Sequence, residues 1–404
     1  MNRSLRRSLA LLPVLGLSLP SAQTSWTVDD NGPADFNSIQ AAVTSPLVAG
    51  GDVLLVEPGN YGAVSLTKEI HILGNPSGPR PSVTDIDAQN VKSFTLYWLD
   101  TAEIDAANVP ARSRIDRCDV GIRGISIDNC PEVVVTRTTS FPTAVEGFFS
   151  DGVPAVDVSG TSRVQLVDCV LRGADGQDDF FEAGFGGAAV RIFDGSDVWV
   201  AGSDLTGGTG GTTQVFSGFD GIGGDGLFIS GGSSANVRGS SFHLVAGGEG
   251  GGDSSDGRAI NVQDFGGPAS SATYSGVTVS GITEGLLINP PEPYLYVRGE
   301  DAPGETRRLF LYGEAGNTAI VATSFGAQFL ELPIFVGAPL WLNPSALVEQ
   351  IPVTLLGQDD PVNVTWTLPN NPAFTGVAYI IQAAELDPPG FFQGTNSSFI
   401  LGTF

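Results

Sequence analysis

Between residues 124 and 281 one short phrase keeps returning: a small residue, then apolar, variable, apolar. Its copies are Gly124-Ile125-Ser126-Ile127, Ala155-Val156-Asp157-Val158, Ala189-Val190-Arg191-Ile192, Gly226-Leu227-Phe228-Ile229 and Ala259-Ile260-Asn261-Val262. Each is followed by a partner with the same alternation: Val133-Val134-Val135, Val164-Gln165-Leu166, Val198-Trp199-Val200, Ala235-Asn236-Val237 and Ala272-Thr273-Tyr274. Alternation with period two marks strands that bury one face. Recurrence every 31 to 37 residues marks a solenoid whose units bury that face only by stacking. Two strands per repeat are expected, with Ser126, Asp157, Arg191, Phe228 and Asn261 outward on the first strands. On the second strands Val134, Gln165, Trp199, Asn236 and Thr273 take that position.

Upstream, Phe36, Ile39, Ala42 and Val43 share one helical face, which suits a short amphipathic helix covering the open end of the stack. Residues 51–56, 64–66 and 70–74 read as the first rungs. Residues 93–123 are less regular, with strand candidates at Phe94-Thr95-Leu96 and 115–120. Asn289-Pro290-Pro291-Glu292-Pro293 breaks the pattern and reads as a linker. Beyond it, alternating runs such as 308–312, 318–323, 352–356, 363–368 and 377–383 predict an antiparallel β-sandwich. The expected organisation is a leader over 1–22, a parallel β-helix over 23–288, a linker over 289–293 and a sandwich over 294–404.

Residues 35–61 carry a family resemblance. Asp35-Phe36-Asn37-Ser38-Ile39-Gln40-Ala41-Ala42-Val43, Gly51-Asp52-Val53-Leu54-Leu55-Val56 and Pro58-Gly59-Asn60-Tyr61 resemble the capping helix, first strand and turn of pectin-lyase-like right-handed parallel β-helix proteins. With the repeats, the resemblance spans roughly residues 24–288. It implies an all-β, right-handed parallel β-helix whose outer sheets contact sugar chains, and it matches no single enzyme family. Residues 378–404 look like the accessory module that closes many exported bacterial proteins.

Composition narrows the picture. Of 404 residues, 54 are glycine and 16% are charged, which favours turn-rich β structure over helix. The formal net charge is −25 and disfavours nucleic acid and anionic lipid as partners. Residues 1–22, with Arg3, Arg6 and Arg7 ahead of an apolar run and Pro20-Ser21-Ala22, have the pattern of a secretory signal peptide. Its removal would leave −28, because three arginines go with it. No later run is apolar for long enough to span a bilayer, so export to the cell surface or medium is expected. Cys118 and Cys169 fall in one column with Thr138, Ser203 and Ser240, two rungs or about 9.6 Å apart. That is too far for a disulfide.

Long insertions lie between the repeats: 173–182, 206–225 and 247–256. They are rich in glycine and aspartate, read as solvated loops, and leave one side of the solenoid. Asp175, Asp225, Asp253 and Asp256 are candidate calcium ligands within them. His71 and His243 have no metal-ligand spacing.

Catalytic candidates are few. Asp157 and Arg191 would be rung neighbours, giving either a carboxylate with a basic proton acceptor, as in a lyase, or a plain surface ion pair. Phe228 beside them and Trp199 could be sugar platforms. Gln177-Asp178-Asp179 resembles the paired aspartates of polygalacturonases, which implies a general acid and base. That family's Asn-Thr-Asp, Gly-His-Gly and Arg-Ile-Lys segments are missing, as are the signatures of pectin methylesterases and pectate lyases. The reading is an exported, polysaccharide-contacting β-helix without a complete catalytic set. A polysaccharide lyase or glycoside hydrolase, and a structural adhesin or envelope component, are the alternatives.

Overall fold

A computed structural model describes residues 24–146, 150–214, 218–264, 268–285, 287–288, 294–298, 306–325, 327–330, 335–336, 340–342, 347–357, 362–367, 378–386 and 392–401. The expected leader over 1–22 and the expected linker over 289–293 lie outside the described residues.

The repeats form a parallel β-helix. One sheet holds eleven strands in register, from Ser25–Val28 through Asp52–Val56, Ile70–Gly74, Phe94–Tyr97, Ser113–Asp116, Val133–Thr136, Arg163–Val167, Asp197–Ala201, Ser234–Arg238 and Ser271–Ser275 to Leu287–Ile288. The other solenoid strands, apart from the antiparallel pair Val145–Glu146 and Asp151–Gly152, make a fifteen-stranded sheet that bends around a corner. In its early coils one long strand, such as Asp119–Asp128, serves both sides of the corner. It pairs with Thr139–Ser140 before a register shift and with Val156–Ser159 after it. Later coils split there into two columns. Val156–Ser159, Val190–Ile192, Leu227–Ile229 and Ile260–Val262 form one; Val170–Arg172, Asp204–Thr206, Leu244–Ala246 and Thr278–Ser280 form the other.

The coil therefore has three strands where alternation predicted two. The third strand is two or three residues long and puts one apolar side chain inward per turn, Leu171, Leu205 or Val245.

Inward positions make one continuous core from Val28 to Ala272, capped by the helix Ile39–Thr44. Ser38 caps that helix by accepting the Ala41 N–H at 3.2 Å, and Ile39, Ala42 and Val43 are buried beneath it. At one corner serines stack rung on rung. The hydroxyls of Ser162, Ser196 and Ser233 accept the N–H groups of Cys130, Ser162 and Ser196. These bonds satisfy donors that the tight turn leaves outside the sheet ladders. Cys118, Cys130 and Cys169 are buried free thiols.

The insertions are not solvated loops. They run outward and back from the split corner as extended threads bonded to one another in steps of three residues. One relay of N–H···O=C bonds, 2.7–2.9 Å long, runs from Gly257 to Gly248, Gly224, Gly208, Gly187, Ala174 and Val153. A second, three residues further out, runs from Gly251 to Gly221, Gly211, Gly184 and Gln177. The three-residue step between bonded glycines, with most bonds running to neighbouring threads, matches the three-residue turn of a polyproline-II helix. Close approach demands glycine: a Cβ on Gly208 would lie 1.9 Å from the Ala174 carbonyl oxygen.

The C-terminal residues form separate sheets. A three-stranded antiparallel sheet and a five-stranded, mainly antiparallel one share a core in which Leu295, Leu309 and Leu311 pack with Ala319, Val321, Ile381 and Ala383. Phe310 and Tyr312 of the first of these sheets pack on Val167 and Ala201, on the outward face of the eleven-stranded solenoid sheet.

Candidate functional site

Parallel stacking in register turns sequence columns into neighbours. Asp157, Arg191, Phe228 and Asn261 follow one another across four rungs. Arg191 meets Asp157 in a two-pronged ion pair, Nε–Oδ1 at 3.0 Å and Nη2–Oδ2 at 2.5 Å. Its guanidinium also lies over the Phe193 ring, 5.2 Å from the centroid. Phe193 in turn makes an edge contact with Phe228 at 5.6 Å.

Returning glycine threads wall this column and leave a groove of about 360 Å3. Its floor carries Arg191, Phe193 and Phe228, its thread wall Phe185 and Gly187, and its far end Asp225 and Arg258. Phe193, Phe185 and Arg258 were not among the sequence candidates. Phe193 had a signal, since it follows the strand Val190–Ile192 two residues after Arg191 and so continues its outward alternation. Phe185 had none, because the threads have no apolar period to read.

The electrostatics oppose acid–base work by Arg191. Burial would lower its pKa, but hydrogen bonding and charge from Asp157 outweigh that and hold it above the ordinary arginine value. A proton acceptor needs the opposite shift. Arg258 is likewise engaged, with Nε 2.5 Å from Glu284 Oε2. The floor thus offers rings and paired charges, with no unpaired cation among these residues.

The remaining candidates are scattered. Asp178 and Asp179 are exposed on a thread and do not line this groove. Asp178 Oδ1 accepts the Thr212 N–H at 2.7 Å and its hydroxyl at 2.9 Å; Asp179 accepts the Phe180 N–H.

Trp199 stands on the eleven-stranded sheet, on the strand that contacts Tyr294–Arg298 of the C-terminal module. It is half-buried and does not line the groove that holds Arg191. The outward positions of that sheet differ from the exposed row expected, for Val134 and Gln165 are fully buried.

Of the calcium candidates, Asp175, Asp225 and Asp256 each accept backbone N–H groups. Asp175 takes the Thr209 N–H at 2.7 Å and Arg172 at 2.8 Å. Asp225 takes the Arg258 N–H and the Asn261 amide, both at 2.7 Å, and burial pushes its carboxyl above the ordinary range. Asp256 accepts the Gly250 N–H, and the Asp253 N–H binds Asp220. Among the described residues no three His, Cys, Asp or Glu side chains converge as a metal site. His71 contacts Thr95 and His243 contacts Ser240, each through Nδ1.

No protein-family model matches the sequence, and no curated protein matches it. Among solved structures, the sporulation control protein Spo0M from Bacillus subtilis is similar over 28% of this chain and 50% of its own, at 14% identity and a TM-score of 0.19. A likeness of that size carries no argument about fold or role.

Proposed function

We propose that this is an exported β-helix protein that holds a neutral extracellular polysaccharide in the Arg191–Phe228 groove without cleaving it. The observation that carries the reading is the convergence of Phe185, Phe193 and Phe228 with polar groups in a groove of about 360 Å3. Aromatic faces stack on the C–H faces of sugar rings, and a few placed polar groups set orientation. Because Arg191 and Arg258 are each paired with a carboxylate, the floor offers no surplus positive charge for uronate chains. The net charge of −25 repels such chains further. The leader pattern of residues 1–22 supports export, and the wording of residues 35–61 supports kinship with pectin-lyase-like proteins. Arg191, held protonated by Asp157, is a poor base, which favours binding over β-elimination.

Glycan-array retention of the full chain and of Phe228→Ala tests this. Retention of a neutral glycan by the wild type, weakened about tenfold in the variant, is the expected result. Failure of the wild type to retain any glycan counts against the reading.

A further inference from the structure

The glycine threads end in a patch that the groove does not use. At their outer ends Phe180, Phe181 and Phe219 are 51%, 67% and 74% exposed. Phe180 and Phe181 meet edge to face at 4.7 Å. The Phe219 N–H donates to the Phe181 carbonyl at 3.0 Å, and the Ala183 N–H to the Phe219 carbonyl at 3.0 Å, so the rings sit on adjoining threads. Carboxylates flank them in the sequence: Asp178, Asp179 and Glu182 beside Phe180 and Phe181, and Asp220 beside Phe219.

Three features describe the occupant. Rings this exposed add little to the core, and the bonded lattice below presents them already ordered, which lowers the entropy lost on binding. Residues 173–190, 206–226 and 247–257 contain nine carboxylates and no lysine or arginine. Hydrogen bonds from the Thr213 N–H and hydroxyl hold the Asp220 carboxyl below its ordinary value, so it stays charged. Acceptors and ring faces without a cationic donor complement a ligand that brings positive charge. A sugar, which needs donors as well as acceptors, fits less well. The chain already contains such a complex, where the Arg191 guanidinium sits over Phe193 and is gripped by Asp157. Arg80 repeats it, 4.3 Å over the Trp98 ring and ion-paired with Asp119.

We propose that the thread tip formed by Phe180, Phe181 and Phe219 is a docking surface for an arginine-bearing segment of another polypeptide. Guanidinium groups stack on the rings and bond to the neighbouring carboxylates. Arginine is favoured over lysine because only a planar group does both at once.

The test titrates the full chain with fluorescent nona-arginine and nona-lysine peptides, followed by anisotropy. The arginine peptide should bind at least threefold more tightly than the lysine peptide. Phe181→Ser with Phe219→Ser should weaken it about tenfold while leaving the melting temperature unchanged, and Asp178→Asn with Asp179→Asn should weaken it independently. Phe228→Ala, in the groove, should leave it unaltered, which separates this proposal from glycan binding. Equal affinity for both peptides, or no loss in the phenylalanine variant, would reduce the effect to bulk charge and overturn the proposal. Self-association of the wild type abolished by the same variant, or loss of neutral-glycan retention in it, would overturn it in favour of a second copy or a sugar.

Discussion

Asp116 has no exposed surface, yet it stays ionised in the outward layer of the eleven-stranded sheet. Arg114 Nη2 at 2.7 Å, Arg137 Nη2 at 2.8 Å and the Thr136 hydroxyl at 2.6 Å all donate to it. Burial pushes its carboxyl up, and the two arginines together with Thr136 pull it further down, leaving it below the ordinary value of 3.8. A depressed carboxyl stabilises the fold fully above that ordinary value and loses the contribution as pH falls through the folded one. Asp116→Asn should therefore cost about 3 kcal/mol at pH 7, since it strands two arginines near a buried site. Its stability should also fall less steeply than the wild type's below about pH 4. Denaturant melts at several pH values read both effects, and parallel acid limbs would show that Asp116 is not the group responsible. Arg191 is the counterpart in the groove, where the same kind of pairing fixes a cation as a floor element. Incubation with anionic polysaccharides should accordingly release no unsaturated, ultraviolet-absorbing products; their appearance would return Arg191 to the list of bases.

The glycine threads stand or fall by backbone contact. Gly208→Ala puts a methyl group against the Ala174 carbonyl at 1.9 Å, where the obstacle is backbone and cannot rotate away. Such overpacking should cost at least about 2 kcal/mol, whereas Gly50→Ala, with nothing within 4 Å, should be close to neutral. Similar denaturation midpoints for the two would mean that the threads are not packed. These elements also mark where sequence reading stops. The stacking core, the capping helix and the Asp157–Arg191–Phe228 column were legible, because period-two alternation and in-register stacking map directly onto neighbours. The third strand was not, since Val170-Leu171-Arg172 buries one side chain and is too short to show a period. The glycine threads have no apolar period to read. Their trace was the spacing of Gly207-Gly208 from Gly210-Gly211 and of Gly247-Gly248 from Gly250-Gly251, a three-residue beat that resembles low complexity. The groove's thread wall, Phe185 included, was hidden for the same reason.

On the scale of the whole molecule, the solenoid presents unlike faces. The eleven-stranded sheet receives the C-terminal sheets through Val167, Ala201, Phe310 and Tyr312, which covers part of its outward face on the strands that carry Gln165 and Trp199. Ala201→Glu should bury an unpaired charge in that contact and loosen the module. An increased radius of gyration in small-angle scattering is the expected readout, and an unchanged radius would mean that the contact contributes little to holding the two parts together. The opposite corner carries the threads, with the groove on one flank and the aromatic tip at the end. Hydrogen exchange of the full chain with and without an array-retained neutral oligosaccharide tests the central claim most directly. Slowed exchange at Gly186, Gly187, Ile192 and Phe228 is the predicted footprint; no protection there, or protection confined to the eleven-stranded sheet, would contradict it.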